Sequence, residues 1–116
     1  VFDTIINAVS PNIAYDVTTG NFTITRAGNY YISWWINTNG AGAASNVIFG
    51  IRVITGGSAV ILADSPVPLT TLQLDGHALL TVTTVPTVFN LFNSTGATVT
   101  YGTGTIQADL AIIEVF

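Results

Sequence analysis

The run Phe22-Thr23-Ile24-Thr25-Arg26-Ala27-Gly28-Asn29-Tyr30-Tyr31-Ile32-Ser33-Trp34-Trp35-Ile36 holds two strands and the turn between them. Its β-branched and aromatic residues fit a pleated surface, and Ala27-Gly28-Asn29 interrupts them as a turn signal. After the turn, side chains alternate between two faces. Tyr30, Ile32, Trp34 and Ile36 are uniformly large and suit a sandwich interior. Tyr31, Ser33 and Trp35 point the other way and still carry two large aromatics. A sheet with one wet face would show polar residues there. Two apolar faces predict a sheet covered twice, once by a partner sheet and once by another copy of the chain.

The rest of the chain agrees with an all-β reading. Val, Ile, Thr, Phe, Tyr and Trp make up nearly half of the 116 residues, and no segment holds a 3.6-residue apolar period. Turn signals at Thr19-Gly20-Asn21, Asn39-Gly40, Gly56-Gly57, Asp75-Gly76, Asn93-Ser94-Thr95-Gly96 and Gly102-Thr103-Gly104 cut it into short runs. Strands are expected at Thr4–Ala8, Ile13–Asp16, Asn21–Thr25, Asn29–Asn37, Val47–Ile54, Ala59–Ala63, Leu69–Leu74, His77–Thr84, Thr87–Asn93 and Thr105–Val115. Pro66 and Pro68 cannot donate to a ladder, so Asp64–Pro68 is expected to be a surface loop, and Pro86 a bend between strands. With no linker and no repeat, residues 1–116 read as one domain: an antiparallel sandwich of about ten strands.

Composition narrows the function. Charged residues are 7% of the chain, against about 25% in ordinary soluble domains. Two basic residues, Arg26 and Arg52, against six acids give a net charge of −4 and no basic patch for phosphates, so no nucleic-acid partner is expected. The absence of Cys excludes disulfides, thiolate metal sites and Cys nucleophiles. The absence of Met leads us to expect a piece of a longer chain. The uncharged stretches Ala27–Ile51 and Ala78–Ala108 are broken by Thr, Asn and Gly, so neither reads as a transmembrane helix. No charged segment leads into a compact apolar one, so no signal peptide is read. A membrane barrel alternates apolar-out with polar-in, whereas several strands here are apolar on both sides, so no membrane insertion is expected. A hydrophobic content of 49% in so small a chain instead implies surface buried against other copies.

The spacing of Phe22, Gly28, Tyr30 and Ile32 resembles the strongest motif of the C1q/tumour-necrosis-factor-like jelly rolls, a Phe strand followed by Gly-x-Tyr-x-aliphatic. Gly76-His77-Ala78-Leu79-Leu80-Thr81-Val82 and Val88-Phe89-Asn90-Leu91 resemble that group's paired strands. The closing Gly104–Phe116 run resembles its buried terminal strand, although it lacks the aromatic-x-Gly-aromatic run of animal members. The cysteine-free, Thr-, Asn- and Val-rich composition is similar to the C-terminal domains of collagen-like glycoproteins of the bacterial spore exosporium (BclA type). That resemblance implies a homotrimeric jelly roll that caps an N-terminal collagen-like stalk of the same chain on an extracellular spore surface. Such a head registers three stalk chains before they wind, and its outermost position would also serve adhesion to a host or surface ligand. By the same analogy the strand after Gly28 and the terminal strand face the threefold axis. The expected trimer-interface residues are therefore Tyr31, Ser33, Trp35, Val115 and Phe116; Phe22, Gly28, Tyr30 and Ile32 form the core motif. The alternative is a trimeric receptor- or carbohydrate-binding tip of a phage fibre or adhesin.

Residues that could carry chemistry are few. Asp75-Gly76-His77 brings an acid near the lone His, but a second His is missing and Gly76 reads as a turn. Asp109 and Glu114 share a strand at opposite parity, so they cannot act as a pair. No Ser lies in a Gly-x-Ser-x-Gly context, and Gly102-Thr103-Gly104 lacks the Lys and helix of a phosphate loop. No enzyme and no cofactor is expected. Some relatives bind calcium near the axis or apex, for which Asp64 or Asp75 would be the oxygen ligands. Asn21-Phe22-Thr23 and Asn93-Ser94-Thr95 fit a glycosylation pattern and read as chance triplets.

Overall fold

The computed structural model describes residues 1–41, 45–65 and 72–115, with the backbone alone at 40, 41 and 72. Nine strands and no helix occur among them. They are β1 (Ile13–Asp16), β2 (Asn21–Ile24), β3 (Gly28–Ala41), β4 (Ile48–Thr55), β5 (Val60–Asp64), β6 (Leu72–Val82), β7 (Thr87–Asn93), β8 (Val99–Tyr101) and β9 (Ala108–Val115). One sheet runs β1-β2-β7-β4-β5. The other has β3 at its centre: β6 pairs with one edge, and β9 and then β8 share the opposite edge. Every pairing is antiparallel.

The alternation read in β3 sets the core. Tyr30, Ile32 and Trp34 are buried, meeting Ala78, Leu80 and Val82 of β6 and, across the sandwich, Phe22, Ile24, Ile51, Val53 and Phe89, while Ile36 is buried in a second cluster with Val47, Phe49 and Leu74. Phe22 stacks on Phe89 with ring centroids 5.1 Å apart, and Tyr15 and Phe2 extend the aromatic group toward the β1 edge. The Tyr30 hydroxyl donates to the Arg26 carbonyl at 2.6 Å, so the buried phenol is satisfied. Gly28 opens β3 at φ +153°, a conformation that side chains rarely adopt and that glycine takes at no steric cost.

Several expected boundaries move. Thr4–Ala8 forms no ladder. The preceding Phe2 packs on Tyr15 and Phe22, and Ser10 and Asn12 bond Glu114, so the segment is tied at both ends without pairing with β9. Leu72–Leu74 and His77–Val82 belong to one strand, β6, which pairs with β3 from Gly28 to Thr38. The turn expected at Asp75-Gly76-His77 is therefore absent. The glycine serves packing instead: a Cβ at Gly76 would stand 2.1 Å from the ring of Trp34, its partner across the ladder. Asp64 closes β5 rather than opening a loop, Ser65 is buried, and Pro66 and Pro68 lie outside the described residues. β8 was not expected; it is short and meets β3 beyond a register shift between Thr38 and Ala41. The terminal strand starts at Ala108 rather than Thr105.

Candidate functional site

The odd residues of β3 point away from the core and, with their ladder partners, build the outer face of the β6-β3-β9 sheet. Register places the side chains in rungs: Thr81, Asn29, Val115; then Leu79, Tyr31, Ile113; then His77, Ser33, Ala111; then Asp75, Trp35, Asp109. Leu79 is 64% exposed, Ile113 59%, Val115 41% and Tyr31 38%, while Ser33 and Trp35 are half-buried among their neighbours. Four large apolar side chains thus lie side by side in water across the central strand β3 and its neighbours β6 and β9. Contiguous apolar surface of this kind marks interaction surfaces in soluble proteins.

Tyr31, Ser33, Trp35 and Val115 are all brought onto this one face; Phe116 lies outside the described residues. Phe22, Tyr30 and Ile32 point into the core. Leu79 and Ile113, the most exposed of the large apolar side chains on the face, were not singled out from the sequence. The signal for Leu79 was its position between Ala78 and Leu80, both buried, which forces it outward.

Polar groups frame the strip. The His77 ring lies 6.2 Å from that of Tyr31, tilted by 30°. Asp75 and Asp109 flank Trp35 from the two sides, and Asp75 Oδ1 accepts a long hydrogen bond from Gln73 Nε2 at 3.4 Å. Asp64 and Asp75 sit in different sheets, and among the described residues no three His, Asp or Glu side chains gather as metal ligands. Glu114, at the opposite parity to Asp109, accepts hydrogen bonds from Ser10 Oγ and, at 3.3 Å, from Asn12 Nδ2. Beside it, residues Thr4 to Ser10 and the Asp109–Ile112 part of β9 enclose a cleft of about 440 Å³.

Ionisation is perturbed away from the face. Burial pushes the Tyr15 phenol above its ordinary value, partly opposed by its hydrogen bond to the Phe2 backbone. Burial also pushes Tyr30 up, with the charge of Glu114 adding to it and that of Arg26 opposing it. Asp16 is held below the ordinary carboxylate range by the Thr18 N–H and the Thr19 hydroxyl in the β1–β2 turn.

Two antiparallel sheets, with β3 central in one and β7 central in the other, define an all-β jelly-roll sandwich. Among solved structures the chain is similar to the globular domain of zebrafish complement 1qA protein. The TM-score is 0.53 at 19% sequence identity, over 84% of this chain and 68% of that one. The fold is thus that of a C1q globular domain. No family model matches the sequence, and no curated protein matches it.

Proposed function

We propose that this chain is a structural trimerisation head: three copies meet on the outer faces of their β6-β3-β9 sheets and cap a collagen-like stalk. The observation that carries this reading is the row Leu79-Tyr31-Ile113, with Val115 and Trp35 adjoining it, exposed on the side of the sheet away from the core. Burying those side chains against two other copies would gain about 25 cal/mol for each Å² of apolar surface. Tyr and Trp are the side chains that most often anchor interfaces. The choice of three copies, the collagen-like stalk and a place on an extracellular spore surface come from the exosporium-glycoprotein resemblance and from the C1q fold. A head at the tip of a stalk would also meet surfaces first, which supports a part in adhesion.

The test is the solution mass of the wild-type chain and of Tyr31→Asp, measured by sedimentation. The wild type is expected at three times the 12.1 kDa of one chain. Tyr31→Asp is expected at the single-chain mass, because a charge on the central rung of each copy has to be buried. A trimer that survives both Tyr31→Asp and Leu79→Asp would place the interface elsewhere.

A further inference from the structure

A second apolar surface lies on the outer face of the other sheet, away from the proposed interface. There β4 and its neighbours β5 and β7 place side chains in rungs: Asp64 and Ile48; then Leu62, Gly50 and Phe92; then Val60 and Arg52. Val60 is 52% exposed, Leu62 49% and the adjoining Ile54 45%, while Phe92 is half-buried. Leu62 leans over the centre of the patch, because Gly50 carries no side chain to oppose it: a Cβ there would stand 2.7 Å from Leu62 Cδ2. Contiguous apolar side chains on an exposed sheet face mark an interaction surface.

The charges on this patch identify what covers it. The Arg52 guanidinium lies 4.6 Å from the centre of the Phe92 ring, and among the described residues no carboxylate pairs with it. Asp64 is exposed and, among the described residues, has no cation beside it. The two stand on opposite sides of the Leu62-Gly50-Phe92 rung, Arg52 drawn toward β7 by the ring and Asp64 on β5, so they do not meet within one chain. A two-fold axis across the strands at the Gly50 rung reverses their order. It sets the Arg52 rung of each copy opposite the Asp64 rung of the other, with Leu62 against Leu62 between them. Sheets stacked face to face lie about 10 Å apart, a span that an Arg and an Asp side chain bridge together.

We infer that this face binds the same face of a second copy, with Arg52 of each chain on Asp64 of the other. The contact is isologous, so both charge pairs form at once. The patch is small, so the contact is weak, with a dissociation constant of about 1 mM, and it acts where copies are crowded. It is independent of the trimerisation reading, which uses the opposite sheet. Where both hold, each trimer carries three such faces on its outside, and the heads join side by side into a layer.

The experiment is light scattering of the folded chain at low salt and about 1 mM, with Arg52→Asp and Asp64→Arg measured alone and mixed. Each variant alone opposes like charges at both contacts, so it is expected to keep the mass it shows when dilute. In the mixture both contacts carry opposite charges. The average mass is then expected to rise by about a third or more above that of either variant, and to fall back in about 1 M salt. Leu62→Ser in both partners is expected to abolish the rise, and Ile6→Ser, an exposed apolar loss on the N-terminal segment, to leave it unchanged. If a charge variant fails to fold, Arg52→Glu and Asp64→Lys carry the same test. A ratio of masses is read, so the outcome is the same whether one chain or three is the unit that associates. A mixture no heavier than its components, or a rise that survives Leu62→Ser, would overturn the contact.

Discussion

Gly76 and Trp34 explain each other. The Trp34 ring is 3% exposed and lies where any Cβ at Gly76 would have to be, so strand β6 can cross it only as glycine. Overpacking a filled core costs about 1–3 kcal/mol. Gly76→Ala is therefore expected to lower stability by about that much in urea denaturation, whereas Thr103→Ala, at an exposed bend, is expected to cost well under 1 kcal/mol. The sequence pair Asp75-Gly76 reads as a turn because its reason, an indole from another strand, is invisible locally. The tyrosines carry a second prediction at this scale. Tyr15 and Tyr30 ionise above the ordinary phenol value when folded. A folded value raised above the unfolded one gives stability that is complete below the unfolded value and lost as pH rises through the folded one. Alkaline titration followed by phenolate absorbance should show a late component that coincides with unfolding. Tyr30→Phe should shrink it.

At the scale of the strand, alternation was the most legible signal. β3 reads correctly on both sides because its inner set, Tyr30, Ile32, Trp34 and Ile36, is bulky without exception. Length and pairing were less legible. Leu72–Val82 looked like two strands because Gly76 interrupts the pattern, and Val99–Tyr101 was missed because three residues hold too little periodicity to register. Thr4–Ala8 has strand-forming residues but no ladder, since pairing depends on where its two anchors place it. One anchor is Glu114, which Ser10 and Asn12 grip from the N-terminal side. Glu114→Ala should loosen residues 4–9 by roughly 1–3 kcal/mol, the worth of hydrogen bonds to a charged group. Amide exchange should quicken near Ser10 and Asn12, and cleavage within Thr4–Val9 should speed up, while Ile32 and Phe89 keep their protection. Equal exchange in both proteins would show that the Phe2 contacts alone hold the segment.

For the whole molecule, the two-faced β3 is the organising fact. One face makes the sandwich with Phe22, Ile51 and Phe89; the other leaves Leu79, Tyr31 and Ile113 in water in a lone chain. The first face was legible in full. The second was legible in β3 and at Val115, whereas Leu79 and Ile113 join it through a register that spacing within one strand does not supply. If assembly covers this face, folding and association are linked, and the melting temperature should rise with protomer concentration. Tyr31→Asp should remove that dependence and lower the melting temperature toward a concentration-independent value. The most direct measurement is sedimentation equilibrium of the wild-type chain over a wide concentration range. The account predicts a single species at three times 12.1 kDa that gives way to single chains only on strong dilution. A folded chain that sediments at 12.1 kDa at every concentration, with Trp35 fluorescence unchanged, would contradict it.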